Sequence, residues 1–255
     1  MIPYDDRGLL LGDGLFETIL ADGGRLVWWP EHMARLRAGC AALGLPEPDT
    51  DEILSAAEVA LQTAGLAAAR AAVRVTWTAG SGGRGLDRPE ALSPRLFVTA
   101  APAPMASGPT TLEVTEVRRN EGSIAARHKT LAYLDSVLAR RAARAAGAEE
   151  AVMLNNRGEV ACAAAANLFW RTPEGWRTPA LACGVLGGLA RRAVLDRAAA
   201  AGRPIAEVAE GLASLDQALE AFVTNSLVGL RPVARLNGRA LAINPESLAV
   251  YDPLA

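Results

Sequence analysis

The sequence is short of lysine. Its 255 residues include 26 basic side chains, of which Lys129 is the one lysine and the other 25 are arginines. Lysine is normally among the commonest residues. Arginine can replace a solvated lysine but not a nucleophilic amine, because the guanidinium group stays protonated at any working pH. The scarcity makes Lys129 a candidate for chemistry, against the alternative that one surface lysine survived by chance.

Long apolar runs and paired cysteines are also missing. No stretch approaches the roughly 18 apolar residues of a transmembrane helix. The first residues, MIPYDDRGLLLGDG, lack the basic and apolar regions of a secretory signal, so we expect none. Cys40, Cys162 and Cys183 are widely spaced and odd in number, which argues against a disulfide framework and favours a reducing cytoplasm.

Several classes of function lack support in the sequence. There is no Gly-x-Ser-x-Gly, His-x-x-x-His or Cys-x-x-Cys motif, so serine hydrolases and metal-dependent hydrolases are disfavoured and we expect no bound metal. The net charge of −2 gives no reason to expect nucleic acid or an anionic membrane as a partner. A small molecule is the expected partner.

Short apolar strands alternate with amphipathic helices along the chain. The pattern predicts an α/β class, specifically an α+β fold with two lobes. A segment rich in Pro, Ala and Ser, residues 101–110, interrupts it. We therefore expect a small lobe over 1–103, a linker over 104–111 and a larger lobe over 112–255 that carries Lys129. The main predicted elements are strands at 15–20, 25–29, 72–78, 95–99, 112–117, 151–154, 166–171 and 221–224, and helices at 31–43, 51–64, 131–146 and 187–201.

Lys129 precedes one of these helices, in the sequence Arg127-His128-Lys129-Thr130. Neighbouring cations and the positive end of a helix dipole would both lower the pKa of its amine. An amine that forms an imine needs such a lowered pKa. His128 could assist, although a single histidine is more often a packing or hydrogen-bonding residue.

Three further segments are suited to binding anions. The glycines of Gly184–Arg191 directly precede a helix, where free backbone N–H groups bind phosphate. Thr224-Asn225-Ser226 ends an apolar strand with hydroxyl and amide groups. The loop Gly80–Gly85 carries Arg84, which could bind a substrate carboxylate as the loop moves. Each of them is equally explained as an ordinary turn.

Taken in order, these segments resemble the class IV (fold-type IV) enzymes that depend on pyridoxal 5′-phosphate (PLP). That family includes branched-chain aminotransferase, D-amino-acid aminotransferase and aminodeoxychorismate lyase. The resemblance runs from about Asp13 to Val233 and implies a homodimer. The segments that carry it are Gly12–Glu17, His32–Leu36, Lys129, Ala166–Trp170, Gly184–Arg191, and Asn225-Ser226 ahead of Pro232-Val233.

The resemblance also implies a role for individual residues. Lys129 matches the lysine that holds PLP as a Schiff base, and Arg35 matches the arginine that reaches the phosphate. The backbone amides of Leu189 and Ala190 would bind the phosphate, with Ser226 on its other side. Further cofactor contacts are expected at Cys162, Asn167, Gly188 and Asn225, and substrate contacts at Phe16, Arg84 and His128.

Within the family, the glycine-rich loop and the Ala-Ala-Asn-Leu-Phe-Trp run are most similar to aminodeoxychorismate lyase. That resemblance implies conversion of 4-amino-4-deoxychorismate to 4-aminobenzoate and pyruvate, for folate. Two alternatives remain: an aminotransferase for D-amino acids, branched-chain amino acids or (R)-amines, and a PLP-binding homologue with weakened catalysis.

Cys162 departs from the family pattern. It stands five residues before Asn167, where family members usually carry a glutamate that pairs with the protonated ring nitrogen of PLP. A neutral thiol cannot hold that proton as a carboxylate does, so the ring should attract electrons less strongly. Transamination should suffer more than an elimination that ends in an aromatic ring. Cys162 therefore favours lyase chemistry.

Overall fold

The computed structural model describes residues 2–254, and the chain forms two compact units. The first unit comprises Met1–Pro104 with His128–Ala132, and the second comprises Met105–Arg127 with Tyr133–Ala255. Both contain sheets and helices, so the predicted mixed α/β class is confirmed. No helix within residues 2–254 is long and apolar enough to cross a membrane.

The first unit is built on a four-stranded antiparallel sheet in the order β2-β1-β3-β4. Alternate residues of its strands, such as Ile19 and Val75, are completely buried against two helices. The second helix of the pair begins at the N-cap Asp49, whose carboxylate accepts hydrogen bonds from two backbone amides of its first turn. The elements of this unit are α1 (Arg7–Leu11), β1 (Gly14–Asp22), β2 (Arg25–Leu26), α2 (Trp29–Leu43), α3 (Thr50–Thr63), β3 (Ala71–Thr78) and β4 (Arg95–Pro102).

The second unit contains a nine-stranded mixed sheet, ordered β10-β9-β8-β11-β12-β5-β6-β7 with β13 paired to β12. Buried side chains such as Leu168, Trp170 and Phe222 fill its core. Its strands are β5 (Thr110–Val114), β6 (Glu150–Leu154), β7 (Val160–Ala163), β8 (Asn167–Thr172), β9 (Gly175–Pro179), β10 (Ala206–Val208), β11 (Glu220–Asn225), β12 (Gly229–Leu236) and β13 (Arg239–Ala240). Its helices are α4 (Ile124–Arg127), α5 (Leu134–Ala145), α6 (Leu189–Ala200), α7 (Leu212–Asp216) and α8 (Pro245–Ala249), with a 3₁₀ turn at Leu181–Cys183.

The segment around Lys129 differs from the prediction. It was expected in the larger lobe, but residues 128–132 belong to the first unit. The backbone N–H of Phe16 donates to the carbonyl of Lys129 (2.9 Å), and that of Leu131 donates to Gly14 (3.0 Å). Through these bonds the segment pairs with β1 in a short antiparallel bridge between Leu15 and Thr130. Pairing with a distant strand has therefore fixed the segment in the first unit.

The helix expected directly after Lys129 begins later than predicted. The predicted helix over 131–146 begins only at Leu134, so Lys129 does not directly precede a helix. The argument that a helix dipole lowers its pKa is therefore wrong. Two smaller boundaries also differ: β2 ends at Leu26 because Trp29 already starts α2, and β5 begins at Thr110 within the expected linker.

Candidate active site

Lys129 and Phe16 meet within the first unit. The Nζ of Lys129 lies 4.0 Å from the centroid of the Phe16 ring, and the guanidinium carbon of Arg74 lies 3.8 Å from the same centroid. Cations at this distance are attracted by the electron-rich face of an aromatic ring. Because the backbone bond between Phe16 and Lys129 joins the same two residues, the ring and the amine hold each other in place. His128, next in sequence, is half-buried.

On the first unit's sheet, β1 also carries a buried carboxylate. Glu17 accepts hydrogen bonds from His32 Nδ1 (2.7 Å) and from Arg35 Nε (2.8 Å) and Nη2 (2.5 Å), all on α2. Burial alone would raise the pKa of Glu17, but the hydrogen bonds from Arg35 and His32 outweigh burial and hold that pKa below its ordinary value. Arg35, the predicted phosphate residue, is therefore held by an ion pair to Glu17.

The loop that carries Arg84 is more firmly held than its glycines suggest. The buried guanidinium of Arg7 donates to four backbone carbonyls of this loop, those of Gly82, Gly85, Leu86 and Asp87, over 3.0–3.4 Å. Its Nε donates to Asp13 at 2.9 Å. Arg84 itself is exposed, with its backbone bonded to Asp87. The prediction that Arg84 contacts the substrate stays a prediction, but the loop backbone has fixed partners.

In the second unit, the glycine-rich turn does lead into a helix. Gly188 is the N-cap of α6, and no side chain caps the first amides of that helix. The N–H groups of Leu189 and Ala190 lie in this first turn, where helical amides have no partner within the helix. A Cβ on Gly188 would fall 2.0 Å from Oδ1 of Asn167, so a larger residue here would displace the Asn167 amide. The Nδ2 of Asn167 donates to the Leu186 carbonyl at 3.0 Å.

The other predicted residues of the second unit lie beside the same strands. Thr224 on β11 pairs with Asn167 on β8, which places Asn225 and Ser226 just beyond that pair. Asn225 donates to the Ala165 carbonyl (3.2 Å) and accepts from two backbone amides of its own turn, so its side chain holds the turn. Ser226 is half-buried. The structure thus brings Asn167, Gly188, Asn225 and Ser226 together within one unit.

Cys162 lies on β7 opposite Met153 of β6 and is buried. Burial raises the pKa of its thiol, the charge of Arg119 lowers it and the charge of Glu150 raises it, with a raised pKa as the result. The thiol is therefore neutral near pH 7. Residues 2–254 contain no cluster of His, Cys, Asp and Glu side chains that could hold a metal ion.

Comparison with known proteins decides the family. The model of "Amino-transferase class IV" matches residues 14–236. The chain belongs to the class IV aminotransferase family. A Methanocaldococcus jannaschii protein provisionally named a branched-chain-amino-acid aminotransferase is 32% identical over 92% of this chain and 83% of its own length. An aminodeoxychorismate lyase of Vibrio harveyi is 30% identical over 92% of this chain and 88% of its own.

Solved structures of class IV enzymes share the fold. A Legionella pneumophila protein provisionally named a 4-amino-4-deoxychorismate lyase has a TM-score of 0.89 and 25% identity, covering 98% of this chain and 92% of its own. The predicted fold type is therefore confirmed, and so is the prediction that the chain is an enzyme of a PLP-dependent family. The specific reaction is not decided, because similar relatives carry out different ones.

The residues of the expected phosphate site fit a phosphate group, because the first turn of α6 has no side-chain cap and its amides have no partner within the helix. At the expected position of the ring nitrogen, Cys162 offers a neutral thiol, where the resemblance implies a carboxylate. Lys129 is the one side chain in the sequence that can form an imine with an aldehyde.

Sequence reasoning missed three residues of this class IV chain. Glu17 could have been noticed, since it is a single carboxylate in the apolar run Leu15–Leu20. Arg74 and Arg119 gave no signal, because 25 arginines make any one of them inconspicuous. Arg74 is placed by the strand register, which pairs it with Thr18.

Proposed function

We propose that this class IV enzyme is a PLP-dependent lyase that converts 4-amino-4-deoxychorismate to 4-aminobenzoate and pyruvate, a reaction of folate synthesis. The observation that carries the lyase over an aminotransferase is that Cys162 is a buried neutral thiol. The family resemblance implies a glutamate at this position. The Vibrio harveyi relative, an aminodeoxychorismate lyase, supports the same choice.

Bound PLP supplies an electron-attracting ring conjugated to the substrate's amine nitrogen. Lys129 Nζ would hold PLP covalently until the substrate's amine takes its place. The freed Lys129 amine would then take the proton from the substrate carbon that bears nitrogen and give it to the departing enolpyruvyl group. Phe16 limits where that amine can go, because its ring lies 4.0 Å from Nζ and its N–H binds the Lys129 carbonyl. The first turn of α6 would bind the phosphate, with Ser226 beside it.

A weaker electron sink affects the candidate reactions differently. Transamination depends strongly on how well the PLP ring attracts electrons, and a neutral thiol at the ring nitrogen would add little to that capacity. Elimination to 4-aminobenzoate ends in an aromatic ring and has its own driving force. The lyase is therefore the reaction that this site tolerates best.

The test is a direct comparison of two substrates on the purified holoenzyme. With 4-amino-4-deoxychorismate we expect 4-aminobenzoate and pyruvate in equal amounts, the pyruvate followed by a coupled lactate dehydrogenase assay. With an amino donor and 2-oxoglutarate we expect little glutamate. The Lys129→Arg protein is the blank for both. No 4-aminobenzoate from wild-type protein would refute the lyase proposal.

A class IV aminotransferase is the second candidate. The Methanocaldococcus jannaschii relative favours it, since its provisional name is that of a branched-chain-amino-acid aminotransferase and it is 32% identical. Glutamate formation from a branched-chain or D-amino acid, without 4-aminobenzoate, would establish it. A PLP-binding homologue with weakened catalysis is distinguished from both by a cofactor spectrum that no substrate changes.

We further propose that the enzyme is a homodimer in the cytoplasm. Three consecutive leucines of α1, Leu9, Leu10 and Leu11, are 62%, 62% and 47% exposed in the single chain. An apolar run on the surface of this kind is typical of a protein interface. Light scattering should give twice the mass of the chain, and Leu10→Asp should lower it. Cytoplasmic location is supported by three free buried cysteines and is tested by cell fractionation.

A further inference from the structure

Arg119 is a buried cation without a carboxylate partner. The residue is 8% exposed, its Nε donates to the Gly184 carbonyl (3.1 Å) and its Nη2 donates to the Ala126 carbonyl (2.8 Å). Among residues 2–254 its guanidinium forms no ion pair, although fifteen such pairs occur elsewhere. Two backbone carbonyls accept from Nε and Nη2, and no carboxylate within residues 2–254 lies at ion-pair distance from the guanidinium. An isolated buried charge is costly, so its persistence calls for a role.

Arg119 lies beside β6, its guanidinium binds the start of the turn that leads to α6, and its charge acts on Cys162. Its backbone N–H donates to the Leu154 carbonyl (2.9 Å) on β6, the strand that pairs with β7 at Met153 and Cys162. Its guanidinium binds Gly184, and the turn from Gly184 leads to the N-cap Gly188. One end of this turn therefore provides the phosphate site, while the other end is held by Arg119.

The electrostatic surroundings of Cys162 are set by two charged groups. Arg119 contributes a positive charge, and Glu150 a negative one. The Glu150 carboxylate is engaged by the guanidinium of Arg140 and by the backbone N–H of Ala151, so its charge is compensated locally. Arg119 has no carboxylate within ion-pair distance among residues 2–254, and its charge affects Cys162 more strongly than that of Glu150 does. A second cation at this position would therefore meet a positive charge.

Resting on the proposed function, we propose that Arg119, with Cys162, keeps the ring nitrogen of bound PLP unprotonated. A pyridinium beside Arg119 would be a second positive charge in a buried place, which disfavours the charged form. The neutral thiol of Cys162 can donate its S–H to an unprotonated nitrogen. The usual carboxylate would do the reverse, because it would neutralise Arg119 and accept the ring N–H. Arg119 is thus a positioning residue, whose charge determines the protonation state of the ring nitrogen.

The test is the ¹⁵N NMR signal of the ring nitrogen in holoenzyme loaded with ¹⁵N-labelled PLP. At pH 7 we expect the chemical shift of a neutral pyridine in wild type and in Cys162→Ser, and that of a pyridinium in Cys162→Glu. The Glu variant leaves the Arg119 bonds to Gly184 and Ala126 untouched. A pyridinium signal in wild type would overturn the inference, and so would a neutral pyridine signal in Cys162→Glu.

The contribution of Arg119 is measured separately by following the same signal with pH. Removing its charge in Arg119→Gln should move the protonation midpoint upward by about one pKa unit or more, whereas Arg119→Lys should leave it near the wild-type value. Equal midpoints in wild type and Arg119→Gln would overturn the role of Arg119. If Arg119→Gln does not fold, the Cys162→Glu result still decides.

Failure of the proposed function is distinguishable from failure of this inference. Borohydride reduction followed by mass spectrometry reports whether PLP is bound at Lys129, whatever the state of its ring nitrogen. A protein without a pyridoxyl adduct would refute both proposals. A protein with the adduct and a pyridinium nitrogen would refute only the role of Arg119 and Cys162.

Discussion

Two buried charges, one in each unit, are held in opposite ways. In the first unit, the Glu17 carboxylate is 1% exposed and is held by His32 and Arg35, so its charge is compensated within the unit. In the second unit, the buried guanidinium of Arg119 is held by carbonyl oxygens alone. A compensated buried charge stabilises one conformation, whereas an uncompensated one is available to act on a ligand. The comparison assigns a structural role to Glu17 and a chemical role to Arg119.

The largest expected effect comes from removing the reactive amine while keeping its charge. Lys129→Arg retains a cation over the Phe16 ring but cannot form an imine. We expect kcat to fall at least about a thousandfold, or about 4 kcal/mol in activation free energy. Stability should change by less than about 1 kcal/mol. A borohydride-treated sample should carry no pyridoxyl adduct, and an adduct elsewhere would show that another residue binds PLP.

The second-largest effect is expected on stability, when the buried carboxylate of the first unit is removed. Glu17→Ala leaves the side chains of His32 and Arg35 without their buried carboxylate, and breaking such a pair typically costs about 3–5 kcal/mol of unfolding free energy. Glu17→Gln keeps the shape and should cost less. Urea denaturation measures both. A loss below 1 kcal/mol in Glu17→Ala would contradict the structural role of this ion pair.

The same carboxylate predicts how stability depends on pH. The pKa of Glu17 is lowered in the folded state from its ordinary 4.5, so its contribution is fully present above pH 4.5. That contribution is lost as the pH falls from 4.5 through the folded-state pKa. Glu17→Gln should therefore show a shallower loss of stability below pH 4.5 than wild type does, in chemical denaturation at several pH values. Identical slopes would show that other carboxylates dominate.

Much of the fold could be predicted from local sequence patterns, because these strands and helices are determined by residues within their own segments. The apolar run Leu15–Leu20 lies inside β1, and the helical spacing after Glu31 ends at Gly44, the C-cap of α2. The glycines before Leu189 did mark the start of α6. Apolar periodicity and helix caps are the local signals that specify these strands and helices.

What sequence patterns could not supply depends on contacts between distant residues. Lys129 joins the first unit through a backbone bond to Phe16, more than a hundred residues away, and backbone pairing leaves no side-chain pattern. Arg119 stands in a polar stretch that reads as exposed, yet it is buried against the carbonyls of Gly184 and Ala126. The sequence singles out Lys129 by its scarcity, but neither its place in the first unit nor the burial of Arg119 can be seen from local patterns.

A smaller effect is expected at the phosphate site of the second unit. Gly188→Ala puts a Cβ 2.0 Å from Asn167 Oδ1 and must displace that amide, whereas Gly187→Ala meets nothing nearer than 3.9 Å. We expect Gly188→Ala to weaken PLP binding about tenfold, or about 1.4 kcal/mol, by disturbing the first turn of α6. Gly187→Ala is the matched control. Equal PLP affinities in the two variants, measured by fluorescence titration, would remove Asn167 and Gly188 from the cofactor site.

The smallest expected effect tests whether the uncompensated charge of the second unit selects the reaction. Cys162→Glu is expected to supply Arg119 with a carboxylate, so that its buried charge is compensated as that of Glu17 is. We expect transaminase turnover to rise several-fold, because a protonated ring nitrogen stabilises a carbanion better, while lyase turnover changes less. Cys162→Ser is the control, since it is neutral and of similar size. An unchanged ratio of the two activities in Cys162→Glu would show that the ring nitrogen does not set the choice between elimination and transamination.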